Sequence, residues 1–132
     1  MNGSTIDNDS DLKSMLERIW TTPLGLEASQ DLHEGVLLEQ YYERIYVACA
    51  LKTTGGWEVT EGKAPKIPNM RLFYSGDVLE KLSQSRDIED FSTKLQDFIG
   101  DRDIVFIPLR SPHKLMEAGF ADFAERLGLP GK

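Results

Sequence analysis

The sequence predicts an α+β domain, or a three-layer α/β variant of one, on three observations. Residues 70–75 and 104–109 are short, β-branched and aromatic runs bounded by turn residues, as strands are. Between and after them lie segments with apolar residues at helical spacing. Upstream, Ile45, Val47, Cys49 and Leu51 alternate with their neighbours before a Thr-Thr-Gly-Gly turn. The expected architecture is a small mixed sheet of three to four strands, at about 44–52, 56–60, 70–75 and 104–109. It is packed with amphipathic helices at about 10–21, 77–99 in two pieces, and 112–127.

The elements follow in chain order. Residues 1–8 are acidic and without periodicity, and are expected to form a mobile tail ahead of a single domain over 9–132. Ser10 is placed to cap a helix on which Leu12, Met15, Leu16, Ile19 and Trp20 form one stripe, with Pro23 as its stop. Leu24-Gly25-Leu26 reads as a connector. Ser29-Gln30-Asp31 then opens a second helix carrying Leu32, Val36, Leu37, Tyr41 and Tyr42. The spacing of Leu38, Tyr42, Ile45 and Cys49 leaves open whether 29–52 is one long helix or a helix followed by a strand. The Gly55-Gly56 turn and the alternation of Trp57 to Thr60 favour the strand and a hairpin.

Glu61 to Asn69, with Gly62, Pro65 and Pro68, reads as a loop. After the strand at 70–75, Val78, Leu79 and Leu82 begin a helix, and Asp87 caps a second one bearing Ile88, Phe91, Leu95, Phe98 and Ile99, closed by Gly100 in a left-handed position. A strand, a helical crossover and a strand suggest that 70–75 and 104–109 are parallel neighbours. The last helix has every boundary signal: Ser111 at the cap, Pro112 at the first turn, Gly128 past the end and Pro130 beyond. The expected core is Leu16, Ile19, Val47, Leu72, Leu82, Phe91, Leu95, Val105, Ile107, Met116, Phe120 and Phe123.

Composition narrows the function classes. At 132 residues, 40% hydrophobic and 28% charged, the chain is long enough to bury a core without disulfides or metals. Its apolar run from Ile45 to Leu51 is far short of the roughly 20 residues that cross a bilayer, so no membrane partner is expected. The polar, acidic N-terminus is unlike a secretory signal, and Cys49 is the only cysteine; both point to the cytoplasm. The formal charge is -7, with nine acids and two bases in residues 1–43. That balance argues against nucleic acid, whose phosphates demand surplus Lys and Arg. It argues for a protein partner with a basic surface.

Catalytic constellations fail on inspection. His33-Glu34 lacks the second histidine of a zinc-protease helix. There is no Gly-x-Ser-x-Gly elbow, Cys49 lies among apolar neighbours that raise a thiol pKa, and Glu61-Gly62-Lys63 lacks the second carboxylate of a metal nuclease. The acids Asp97, Asp101 and Asp103 lack the alternation of a calcium loop. No catalytic residue, metal or cofactor is assigned, and the balance is against an enzyme.

Two sets of residues remain as candidates for binding. Tyr41, Tyr42, Arg44, Tyr46 and Trp57 combine aromatic and basic character in the way that protein hot spots do. Arg110, Ser111, His113 and Lys114 follow a strand at the start of a helix, where an anion would be held. The leading expectation is a small cytoplasmic protein-binding module of inhibitor or immunity, antitoxin, chaperone or adaptor type. The rival is a ligand-binding or enzymatic domain in which the Arg110–Lys114 loop meets the turn at Asp77. A homodimer formed through the strand at 44–52 is compatible with either.

Overall fold

Leu37 and Leu38 are adjacent and both buried, and Leu37 pairs with Leu51 while Leu38 pairs with Ala50 on one side and Met70 on the other. The segment read as a second helix is therefore a strand, β1 (Leu37–Tyr42). Gly35, at φ +97°, halts any helix before it begins, and the Gly35 and Lys52 N–H groups already exchange bonds with Lys52 and Val36 in a ladder. The computed structural model describes residues 9–129; the expected tail at 1–8, the capping side chain of Ser10 and Pro130 lie outside the described residues.

β1 runs antiparallel to β2 (Ile45–Thr53), which runs antiparallel to β3 (Gly56–Thr60), so the expected hairpin is present. β4 (Met70–Tyr74) lies parallel to β1 on its other side, and β5 (Ile104–Pro108) closes the order β3-β2-β1-β4-β5. The chain is thus an α+β domain on one five-stranded mixed sheet. β3 pairs with Cys49–Thr53 and so covers the outer edge of the second half of β2. β5 is antiparallel to β4, not parallel, with Tyr74 opposite Ile104. The reason is that two helices rather than one fill the connection. α3 (Val78–Ser83) leads away from the end of β4 and α4 (Ile88–Gly100) leads back to it, so Ser75 N–H reaches Asp103 C=O.

The remaining helices are α1 (Asp9–Trp20), α2 (Pro23–Ala28), α5 (Pro112–Glu117) and α6 (Phe120–Leu127). Pro23 does not only end α1. Thr22 accepts a bond from Gly25 N–H and Pro23 sits in the first turn, so the expected connector is a second helix. A Cβ on Gly25 would fall 2.0 Å from Ile19 C=O, which is how α2 folds so closely against α1. The caps at Asp87 and Ser111 are as read, each accepting a backbone N–H three residues on. Gly100 is the last residue of α4, and the left-handed position beyond it belongs to Arg102 (φ 65°). The expected single helix over 112–127 is broken at Gly119, whose φ of +98° turns the chain where a Cβ would meet Asp31 C=O at 2.0 Å.

The helices cover the face that presents Leu38, Ala48, Ala50, Met70, Leu72, Tyr74 and Ile104, and with Trp20, Trp57, Phe91, Leu95 and Phe123 these form the core. Helices cover only this face among the described residues, so the three-layer variant is not realised. Of the expected core, Val105 (38% exposed), Ile107 (42%) and Met116 (58%) are not buried. Val105 and Ile107 alternate onto the uncovered face of the sheet, and Met116 lies on the short α5, which buries none of its residues. Two polar side chains are fully buried, Ser29 and Gln40; Gln40 Oε1 accepts a 2.5 Å bond from Tyr74 O–H, while its Nε2 has no partner among the described residues.

Candidate functional site

Strand alternation and the observed register put a defined set of side chains on the uncovered face. Beyond the core, Gln40 pairs with Ala48 but Tyr41 pairs with Tyr46, so Val47 is an extra residue in β2. This bulge turns Tyr46 to the same side as Tyr41 while Val47 stays in the core. Tyr41 is opposite Phe73 in the parallel pair, and Phe73 is opposite Val105. The result is one cross-strand row, Tyr46-Tyr41-Phe73-Val105.

The row is packed as aromatics prefer. Tyr41 stacks on Phe73 with centroids 4.7 Å apart at 20°, and meets Tyr46 edge-on at 5.5 Å. In the next row Glu39 lies opposite Arg71, and Arg71 opposite Ile107. Arg71 Nε donates to Glu39 Oε1 at 2.8 Å while its guanidinium lies 5.8 Å from the Tyr41 ring; the bond to Glu39 is the main reason its pKa is raised. Toward β3 the face is closed by the loop at 61–69. Gly62 C=O accepts from Tyr46 O–H at 2.6 Å and from Cys49 Sγ at 3.9 Å. Burial, then the bond with Cys49, push the Tyr46 phenol well above its ordinary range, so it remains a donor.

At the other end of the row the surface sinks into an open groove of about 520 Å³ lined by Glu43, Arg44, Phe73, Tyr74, Ser75, Arg102, Asp103, Val105 and Ile107. The only non-glycine residues with left-handed backbone among those described are Glu43 (φ 50°), Arg44 (φ 71°) and Arg102 (φ 65°), and all three line this groove. Glu43 and Arg44 form the two-residue turn between β1 and β2, a place that favours Asn-Gly. Side chains there cost about 1 kcal/mol each in backbone strain. Glu43 is engaged, accepting the Gly76 N–H at 2.9 Å. Arg44 and Arg102 are exposed and enter no ion pair among the described residues.

Of the residues expected to bind, Tyr41, Tyr46 and Arg44 therefore fall on this face or its groove. Tyr42 faces the helices and bonds Gly76 C=O through its hydroxyl at 2.6 Å. Trp57 is core, donating to Ser29 Oγ at 2.9 Å beside Trp20. Phe73 and Arg71 belong to the same aromatic and basic region of the sequence, whereas Val105, Ile107 and Arg102 were not among the residues expected to bind. The signal for Phe73 was available in the alternation of 70–74, whereas Val105 and Ile107 look like core in any sequence that does not reveal a bare face.

The expected anion loop separates from its partner. Because β4 and β5 are antiparallel, Asp77 and the Arg110–Lys114 loop lie at opposite ends of strands about 13 Å long, beyond hydrogen-bond reach of one another. His113 is exposed and bonds Glu117 at 3.0 Å, and Ser111 is spent on its cap. Arg110 and Lys114 instead join His33, Lys66, Glu34 and Glu117 around a second depression of about 390 Å³, a surface of mixed charge. Among the described residues no group of three or more His, Cys, Asp or Glu side chains has metal-holding geometry. Nor is any helix long and apolar enough to cross a membrane.

No protein-family model matches this chain, and no curated protein does. It resembles a solved structure. That structure, described as a UbiJ-SCP2 ubiquinone synthesis protein, is 14% identical, with 90% of this chain and 94% of that one covered and a TM-score of 0.50. At that identity the likeness is one of fold.

Proposed function

We propose that this chain is a small cytoplasmic protein-binding module, of the inhibitor, antitoxin, chaperone or adaptor kind, that docks its partner on the uncovered sheet face. The observation that supports the reading is the row of half-buried Tyr41 and Phe73 and exposed Val105, flanked by exposed Ile107, on the sheet face that no helix covers among the described residues. Aromatic and arginine side chains at the centre of such a patch supply most of the energy of protein recognition.

The chemistry of the face also revises the expected partner. Of the nine acids in residues 1–43, the two that reach this face are engaged: Glu39 is held by Arg71 and Glu43 by the Gly76 N–H. What is left at the groove is Arg44, Arg102 and the carboxylate of Asp103, an excess of one positive charge. The fitting partner is a segment with an apolar anchor for Phe73, Val105 and Ile107 and carboxylates for the two arginines, rather than a basic surface. Strain concentrated in Glu43, Arg44 and Arg102 suits a contact surface, since residues with no task there would be replaced by Gly or Asn at a gain in stability.

The test is selection of peptides from a random display library on the immobilised full chain. Selected peptides should combine acidic with large apolar residues. Val105→Asp and Arg44→Glu, both at exposed positions, should each weaken them by about tenfold or more. Peptides of another chemistry, or binding that is indifferent to both substitutions, would refute the proposal.

A further inference from the structure

Among the described residues β5 ends the sheet and pairs only with β4. The bonds from Ser75 N–H to Asp103 C=O and from Leu109 N–H to Asn69 C=O fix the phase of that ladder. Val105 and Ile107 therefore turn their main-chain groups toward β4, and Ile104, Phe106 and Pro108 turn theirs outward. Edge strands are ordinarily guarded by charge, bulges or proline. Here the strand itself holds no charged residue, two of its aliphatic side chains are more than a third exposed, and the single guard is Pro108. The opposite edge, β3, is by contrast interrupted by the exposed Glu58.

We propose that two copies of this chain pair antiparallel along β5, with the two-fold axis at Phe106, and so form one continuous sheet. The register follows from the residues. With the axis at Phe106, the two Phe106 residues exchange both main-chain bonds, and each Ile104 N–H reaches the other copy's Pro108 C=O. Pro108 then fails to supply only the outermost donor on each side. Val105 faces the second copy's Ile107 on the uncovered side, a pairing of aliphatic with aliphatic. Moving the axis to Val105 would set Ile107 against Asp103. Moving it to Ile107 would place Pro108 opposite Phe106 and lose a donor in the middle of the ladder.

Charge selects the same arrangement. The exposed acids Asp101 and Asp103 precede β5, and the exposed bases Arg110 and Lys114 follow it. Antiparallel pairing brings the acidic end of each copy to the basic end of the other; parallel pairing would set like against like. Arg102, which lies between the acids, lines the groove instead. The joined sheet leaves both docking faces on one side, so the dimer presents two equivalent sites to a partner.

Sedimentation velocity and light scattering on the full chain should show a monomer–dimer equilibrium in the micromolar range, as suits an edge contact of modest area. Arg110→Asp should weaken the dimer and Asp103→Arg in the same chain should restore it, and the two variants should share one monomer unfolding midpoint, displaced from the parent only by loss of the exposed Arg110 bond to Ile67 C=O. In a Val105→Cys/Ile107→Cys variant, oxidation should produce a covalent dimer whose disulfide, mapped by mass spectrometry, joins position 105 of one chain to 107 of the other. A chain that stays monomeric at about 1 mM, or a dimer untouched by the charge swap, would overturn the inference. A monomer that still binds the selected peptides would leave the docking proposal standing, and a dimer that binds none of them would remove only the latter.

Discussion

Replacing Tyr74 by Phe should destabilise the protein far more than the loss of one hydroxyl suggests, and replacing Gln40 as well should return most of that loss. Tyr74 O–H donates to Gln40 Oε1 at 2.5 Å and accepts a long 3.4 Å contact from Trp20 Nε1, all of it buried. Burial drives the Tyr74 phenol far above its ordinary pKa, so the hydroxyl is a donor at any working pH. Gln40 Nε2 already has no partner. Tyr74→Phe thus leaves a whole amide unsatisfied in the core, at about 2–3 kcal/mol. Gln40→Met removes the unpartnered amide but leaves the Tyr74 hydroxyl without an acceptor, a net loss of about 1 kcal/mol. The double variant keeps only the weakened Trp20 N–H and should lie within about 1 kcal/mol of the parent, a coupling of about 2 kcal/mol. Urea unfolding followed by tryptophan fluorescence, with m held constant across the four proteins, measures it. Additive losses, with coupling under about 0.5 kcal/mol, would show that the amide and the hydroxyl do not act as a unit.

Two further outcomes follow from local geometry. Gly119→Ala forces a Cβ to within 2.0 Å of Asp31 C=O at a backbone φ of +98°, and should lower stability by about 3 kcal/mol or more in the same unfolding assay. The Asp90 carboxyl is held below its usual range, first by the Arg86 N–H and then by Lys94 and Arg86. A carboxyl with its folded pKa depressed contributes stability above its unfolded value, near pH 4, and loses it as the pH falls through the folded one. Asp90→Asn should therefore flatten the acid limb of stability against pH and leave the neutral region's slope unchanged; an unaltered acid limb would contradict the assignment.

Much of the architecture was legible where local signals act alone. The caps at Asp87 and Ser111, the 54–55 turn and the strands at 70–74 and 104–108 depend on nearest neighbours, and each is found within a residue or two of its expected place. What failed depended on partners distant in sequence. β1 opens on two adjacent buried leucines, which show no period to read. Gly119 is a break only because Asp31 passes against it. The direction of β5 depended on whether α3 and α4 counted as one passage or two. The site suffered for the same reason: Tyr41 and Tyr46 were visible as aromatics, but a two-residue reading frame cannot show that a bulge at Val47 aligns them, nor that no helix lies over Val105.

Phe73 and Tyr41 touch across the one parallel junction of the sheet, between two halves of the chain that each fold back on themselves. The N-terminal meander has only two-residue turns to close, whereas its union with β4 must bring together residues thirty-two apart, and such junctions form later than hairpins. The stacked rings are therefore absent from any species in which the halves have parted. A partner that grips both rings would clasp that junction, so its binding would report on, and reinforce, completed folding.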